Sequence, residues 1–168
     1  MKAIIYTSNT GSTAEYAQLL GKELNLPVHS LQQAKNKVPA GSEIIYLGWI
    51  MAGGIKGYKE AAKLYKVRAV CGVGMGQAGT QLKEVRDKNA IPQRIPLFTL
   101  QGNFDVKKLH GVYRFMMNVM VKTAGKGLAN KIDRTPEEDD MLDMMVNGGK
   151  RVALQNLNAV TEWYKSVY

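Results

Sequence analysis

A continuous apolar run, Ala3-Ile4-Ile5-Tyr6, leads almost directly into Ser8-Asn9-Thr10-Gly11-Ser12-Thr13 and then into a segment whose apolar residues recur at helical spacing. A run that is apolar at every position, rather than at every second one, reads as a strand covered on both faces, as in a parallel sheet packed between helices. When such a strand passes through small hydroxyl residues into a helix, the first helical N–H groups have no partners. Together with the helix dipole they attract an anion. No lysine occurs between Lys2 and Lys22, so the loop lacks the Lys that grips a polyphosphate and its magnesium. It offers neutral donors instead: the hydroxyls of Ser8, Thr10, Ser12 and Thr13, the Asn9 amide and the loop N–H groups. That set suits a single phosphate monoester. Gly11 permits positive φ and a close approach of backbone to ligand. Ordinary turns and N-caps use the same residue types, and it is the strand before and the helix after that favour the anion reading here.

Ser8-Asn9-Thr10-Gly11-Ser12-Thr13 resembles the FMN phosphate loop of flavodoxins, Ser/Thr-x-Thr-Gly-x-Thr, at all four specified positions. The resemblance implies a flavodoxin-like fold and bound FMN.

The length, 168 residues, suits one domain spanning the chain. The longest mostly apolar stretch, from Ile44 to Ile55, is well short of the roughly 20 residues of a membrane span, and the apolar run after Lys2 ends too soon for a secretory signal. A cytoplasmic protein is the expectation. The single cysteine, Cys71, falls in a strand pattern and reads as a buried apolar residue, not a nucleophile. His29 and His110 are far apart in sequence with no Cys or carboxylate cluster near either, so no metal site is expected. No catalytic side chain stands out. The 23 Lys and Arg exceed the 14 Asp and Glu, a formal charge of +9. Such a charge fits nucleic acid, an anionic membrane or an acidic protein, but no nucleic-acid-binding motif accompanies it. Flavodoxins are typically acidic, so their docking chemistry is not expected here.

Along the chain, strands are read at residues 2–7, 28–31, 43–49, 67–73 and 95–100, with helices between the first and second, third and fourth, and fourth and fifth. Lys35 to Ser42 reads as a solvated loop broken by Pro39 and Gly41. Alternation of this kind calls for a five-stranded, doubly wound parallel sheet with helices on both faces. Ligands of such sheets bind outside the carboxyl ends of the strands, where the strand order switches. Two further loops stand there. The first, Trp49-Ile50-Met51-Ala52-Gly53 continuing to Tyr58, follows the third strand. In flavodoxins the equivalent loop covers one face of the isoalloxazine ring, and one of its glycine peptides can flip; Gly53, Gly54 or Gly57 are the candidates. Trp49 is either a stacking partner or the buried end of the strand. The second loop contains Gly74, Met75, Gly76, Gln77 and Gly79. It spells Gly-x-Gly-x-x-Gly, but the span Arg94 to Thr99 has no acidic residue for a ribose, so it is a poor dinucleotide fingerprint. Its N–H groups better suit the N1/O2 edge of a flavin. The aromatic residue that flavodoxins usually place there is missing, with only Met75 present.

After the fifth strand the chain spends residues 102–149 on an insertion. Val112, Phe115, Met116, Val119 and Met120 fall at one helical spacing and Tyr113, Met117 and Val121 beside them, so most of the circumference is apolar. Three partners could bury it: the flavin site and the domain's own sheet edge, a second subunit, or a membrane surface; the flanking Lys107, Lys108, Lys122, Lys126 and Lys131 favour an anionic membrane or a phosphate-bearing partner. Thr135-Pro136-Glu137-Glu138 signals a second helix to Val146, with Met141, Leu142 and Met145 inward, ending at Asn147-Gly148-Gly149. Ala153, Leu157, Val160 and Tyr164 mark the last helix. Gly102-Asn103-Phe104, the Tyr113 to Met117 helix and the capped acidic helix are similar to flavodoxin-domain proteins related to the bacterial quinone-linked protoporphyrinogen dehydrogenase. The chain is accordingly expected to be an FMN-binding redox protein, an oxidoreductase passing electrons through FMN with a quinone-like or porphyrinogen-like planar substrate; the alternatives are a basic electron carrier docking on an acidic protein partner and an FMN-free binding domain that kept the fold.

Overall fold

The computed structural model describes residues 1–103 and 111–168, without the side chains of residues 111–114, 116, 117, 120 and 124. Its strands are β1 (Ala3–Thr7), β2 (Val28–Ser30), β3 (Glu43–Met51), β4 (Gly54–Ile55), β5 (Lys66–Gly74) and β6 (Leu97–Gln101). The helices are α1 (Ser12–Leu24), α2 (Leu31–Lys37), α3 (Tyr58–Leu64), α4 (Leu82–Asn89), α5 (Gly111–Ala129), α6 (Pro136–Asn147) and α7 (Asn158–Val167), the last preceded by a 3₁₀ turn at Leu154–Leu157. The main strands run parallel in the order β2-β1-β3-β5-β6. This is the flavodoxin-like doubly wound order, switching direction between β1 and β3, and the expected five parallel strands are present.

Side chains alternate across the sheet, so each apolar strand supplies two cores. Ile5, Ile44, Tyr46 and Val70 meet Leu31, Ala34, Tyr58, Ala61 and Val85 of α2, α3 and α4 on one face. Ile4, Ile45, Leu47 and Cys71 meet Tyr16, Leu20, Leu157 and Val160 on the other. A register shift places Ile44 opposite Val67 and Ile45 opposite Ala69, leaving Arg68 as the extra residue. The shift sends Val67 and Ala69, two apart in sequence, into opposite cores.

Two sequence expectations need correction. Lys35 to Ser42 is not all loop, because α2 occupies Leu31–Lys37 and the second strand stops at Ser30. Ser30 caps that helix: its Oγ accepts from Gln33 N–H while Gln33 Oε1 accepts from Ser30 N–H. The Ser-x-x-Gln capping signal was present, but the apolar stripe of Leu31, Ala34 and Val38 is too short to stand out. The segment after Trp49 is likewise not an open loop. Strand β3 continues to Met51 and folds back antiparallel onto β4. Helix α6 starts as expected at the Thr135 cap, with its capping box to Glu138. Met145 is buried as anticipated, and so is Met144, while Met141 and Leu142 are only half-buried.

Cys71 lies at 0% exposure in the second core, and burial pushes its thiol up to about 12. The native protein should therefore react with a thiol reagent at pH 8 only at its unfolding rate. Because the unfolded thiol ionises near its ordinary value of 9.0 and the folded one near 12, stability should fall as pH rises through that window. Urea titrations at stepped pH, with a Cys71→Ala control, measure the effect.

Candidate functional site

The registers bring Thr7, Gly48 and Gly72 level across β1, β3 and β5, and Gly72 level with Thr99 in β6. The loops that leave β1, β3 and β5 therefore share one sheet edge. In the first, Gly11 adopts φ +106, which turns the chain into α1, and its N–H donates to Ser8 Oγ at 3.2 Å. Glu15 N–H donates to Gly11 C=O, the first bond of the helix. The N–H groups of Asn9, Thr10, Ser12 and Thr13 find no acceptor among the described residues. Thr13 is only 1% exposed, yet its hydroxyl also has no partner among them. Since no buried side-chain polar atom of the described residues lacks a partner, the unbonded Thr13 hydroxyl is one that solvent still reaches, and with the unpaired N–H groups it makes a set of open donors at the positive end of a helix.

The loop hydroxyls are thus divided in their use. Ser8 closes its own turn, whereas Ser12 Oγ accepts from Asn103 N–H at 3.0 Å. Asn103 also donates through Nδ2 to Glu15, and its Oδ1 accepts from Arg151 N–H and Val152 N–H at 2.7 and 2.9 Å. One side chain thereby ties the first turn of α1 to both ends of the insertion. Tyr16 strengthens the joint, donating to Gln101 C=O at 2.6 Å and accepting from Asn156 Nδ2. Burial raises the Tyr16 pKa, which keeps the phenol a neutral donor. Asn103 and Tyr16 carry no motif of their own, and only the fold identifies their role.

The segment after β3 is a two-residue hairpin. Ala52 and Gly53 both have positive φ, 48° and 74°, as a type I′ turn requires. Ile50 lies against Gly72 and Gly74 of β5, where an added Cβ at Gly72 would come within 2.8 Å of Ile50 Cδ1. Trp49 is half-buried, with the Lys56 ammonium 5.7 Å from its ring centre. It is therefore not sealed in the core at the end of a strand. The base of the hairpin is held by Tyr46, which donates to Lys56 C=O and bonds Thr7 Oγ1, each at 2.7 Å. A tyrosine has one hydroxyl proton and a carbonyl only accepts, so Thr7 is the donor in the second bond.

In the third loop four carbonyls are bonded, while several consecutive N–H groups are not. Gly74 C=O accepts from Gly102 N–H, Met75 C=O from Gln101 Nε2, Gln77 C=O from Thr80, and Thr80 C=O from Thr99 Oγ1. The N–H groups of Gly76, Gln77 and Ala78 have no acceptor among the described residues, while Gly79 N–H is spent on Thr99 C=O. The rim of this loop is thus donor-rich and favours negative charge. Among the described residues no three His, Cys, Asp or Glu side chains come together as a metal site, and His110 lies outside them.

Gly57 occupies the joint between hairpin and α3 at φ +79, and a Cβ there would overlap the Tyr46 hydroxyl and approach Thr7 Oγ1 to 2.5 Å. Gly57→Ala should cost about 3 kcal/mol, from left-handed strain plus overpacking. Tyr46→Phe should cost ~1–2 kcal/mol by stranding Lys56 C=O. The double variant should lose less than the two together, because removing the hydroxyl makes room for the new methyl. Urea denaturation of the four proteins measures this cycle.

A family model described as a flavodoxin domain matches residues 3–130, from β1 to the end of α5. No curated protein and no solved structure matches the chain. Flavodoxin domains are in general FMN-binding redox modules, and the β2-β1-β3-β5-β6 order agrees with the match. With three quarters of its length covered by that model, the chain belongs to the flavodoxin domain family.

Proposed function

We propose that this chain binds FMN at the shared sheet edge and works as an oxidoreductase. The observation that carries the reading is the row of unpartnered N–H groups at the start of α1, with the unpartnered Thr13 hydroxyl beside them. A phosphate monoester fits that donor set. The loop N–H groups, Thr10 and Thr13 would hold its oxygens, aided by the helix dipole and by no counter-charge. FMN supplies electron and hydride transfer at its ring, which no side chain of this protein can perform. Trp49 to Gly53 would wall one side of the ring. The N–H groups of Gly76, Gln77 and Ala78 would face its electron-rich edge, with Gly74, Met75 and Gly79 shaping that loop. Ser12 acts indirectly, through its bond to Asn103.

The substrate proposed is a planar quinone-like or porphyrinogen-like molecule reaching the ring beside the insertion, with a basic electron carrier as the alternative. In favour of a special role for the insertion, α6 is locked to the body near this edge: Asp140 accepts from Gln101 Nε2 at 2.5 Å and from Arg151. On α5, Phe115 and Val119 remain 68% and 45% exposed, with Lys122 and Lys126 exposed on the following turns. That row supports a second reading, peripheral contact with an anionic membrane. No helix of the described residues is long and apolar enough to cross one. The flanking Lys107 and Lys108 lie outside the described residues, as does Phe104, and the side chains of Val112, Tyr113, Met116, Met117 and Met120 are likewise outside them.

Purified protein should be yellow and should release FMN on denaturation. Thr10→Val and Thr13→Val should each weaken FMN binding about ten- to a hundredfold, the loss of one hydrogen bond to a charged group. A colourless protein that takes up no added FMN, or unchanged affinity in both variants, overturns the assignment. Turnover of protoporphyrinogen with menaquinone, abolished by excision of residues 104–123 while FMN is retained, would support the enzyme over the carrier. For the membrane reading, sedimentation with phosphatidylglycerol vesicles should exceed that with phosphatidylcholine and should fall in Phe115→Asp.

A further inference from the structure

The backbone groups of the β3–β4 hairpin can be accounted for one at a time. Ile50 pairs with Ile55 and Met51 with Gly54, and Lys56 N–H donates to Trp49 C=O at 3.0 Å. Bonded and non-bonded pairs alternate along an antiparallel ladder, so Ile55 N–H faces away from β3. There it meets Asn89, the last residue of α4. Asn89 Oδ1 accepts from Ile55 N–H at 2.8 Å, and its Nδ2 donates to Gly53 C=O at 2.8 Å and to Val85 C=O at 2.7 Å. The side chain uses its acceptor and both donor hydrogens, and the residue is 5% exposed. Lys56 C=O, at the other end of the hairpin, is taken by Tyr46.

Ala52 N–H and Ile55 C=O have no partner among the described residues, and one peptide has neither of its groups bonded. Neither Ala52 C=O nor Gly53 N–H has a partner among the described residues. Turning that peptide over would convert the type I′ turn to type II′, whose first position requires glycine. Ala52 holds that position, so its Cβ opposes the reversal. Gly53 C=O is bonded to Asn89, which opposes any compensating movement of the next peptide.

We propose that Asn89 is a positioning residue for this wall of the cleft. It fixes the hairpin to α4 so that the Ala52–Gly53 peptide meets a planar heteroaromatic ligand in one preset orientation, with N–H and C=O both available. The inference rests on the FMN reading for the identity of that ligand, and not for the rigidity of the hairpin. A preset wall saves the ordering cost that a mobile loop would incur on binding.

The test uses the full chain with Asn89→Ala and Ala52→Gly. Without ligand, amide exchange at Ile55 should be at least tenfold faster in Asn89→Ala than in the wild type. FMN affinity should fall about tenfold or more in Asn89→Ala and severalfold in Ala52→Gly, whose turn is free to reverse. The thermal shift produced by inorganic phosphate, which probes the Ser8 to Thr13 loop alone, should be unchanged in both, a selectivity that general destabilisation would not give. If Asn89→Ala does not fold, Asn89→Asp removes the donor to Gly53 while keeping an acceptor for Ile55 and carries the same binding readouts. Unchanged exchange at Ile55, or faster exchange with FMN affinity within twofold of wild type, overturns the proposal. A wild-type chain that responds to phosphate but takes no FMN overturns the proposed function and the ring-facing half of this inference. The exchange measurement needs no flavin and separates the two failures.

Discussion

Parallel strands that start together also end together, and the backbone groups beyond their last bonded residues need partners. In this protein that edge is set by the level registers of Thr7, Gly48, Gly72 and Thr99. Each loop meets the requirement differently. The hairpin after β3 pairs with itself and with Asn89. The loop after β5 gives its carbonyls to Gly102, Gln101, Thr80 and Thr99 and keeps several N–H groups back. The loop after β1 leaves its N–H groups open at the positive end of α1. The edge thus keeps open N–H groups in all three loops, those after β1 at the positive end of a helix.

The insertion departs from and returns to this edge at one joint. Asn103 bonds Ser12 and Glu15 in α1 together with Arg151 and Val152 on the returning chain. Among the described residues, charged groups join the end of α5 to the start of α6, and the buried Met145 of α6 lies near Gly125 of α5. Arg134 donates to the carbonyls of Leu128 and Ala129 at the end of α5 and of Lys131 just beyond it, and pairs with Asp139, while Lys131 pairs with Glu138. Residues 102–149 contain as many Asp and Glu as Lys and Arg, so the surplus of +9 belongs to the sheet-and-helix body. Any anionic surface met through α5 would thus be recognised by a local row of basic residues and not by the charge of the insertion as a whole.

Much of the architecture was legible because it follows from local pattern. Ala3 to Tyr6 and Ile44 to Leu47 are apolar at every position, short and rich in isoleucine, as strands of a sheet covered on both faces are. The Thr135-Pro136-Glu137-Glu138 start signal gave α6 its first residue. Helix α2 was obscured because seven residues offer barely two turns of periodicity. The hairpin at Ala52-Gly53 was obscured for a different reason: a type I′ turn is signalled by Asn-Gly or Asp-Gly, and alanine at a positive-φ position gives no such cue.

The sequence by itself determined the parallel sheet, the small-residue turn into α1 and the burial of Cys71, since each depends on neighbours in the chain. The tertiary structure alone decided which hydroxyls remain open, because Ser12 is claimed by Asn103, 91 residues away, and Thr13 is not. It alone gave Asn89 its contacts with Gly53 and Ile55. A side-chain amide has no periodicity to betray its partners, and the strands that bring those partners within 3 Å are joined only through the folded sheet.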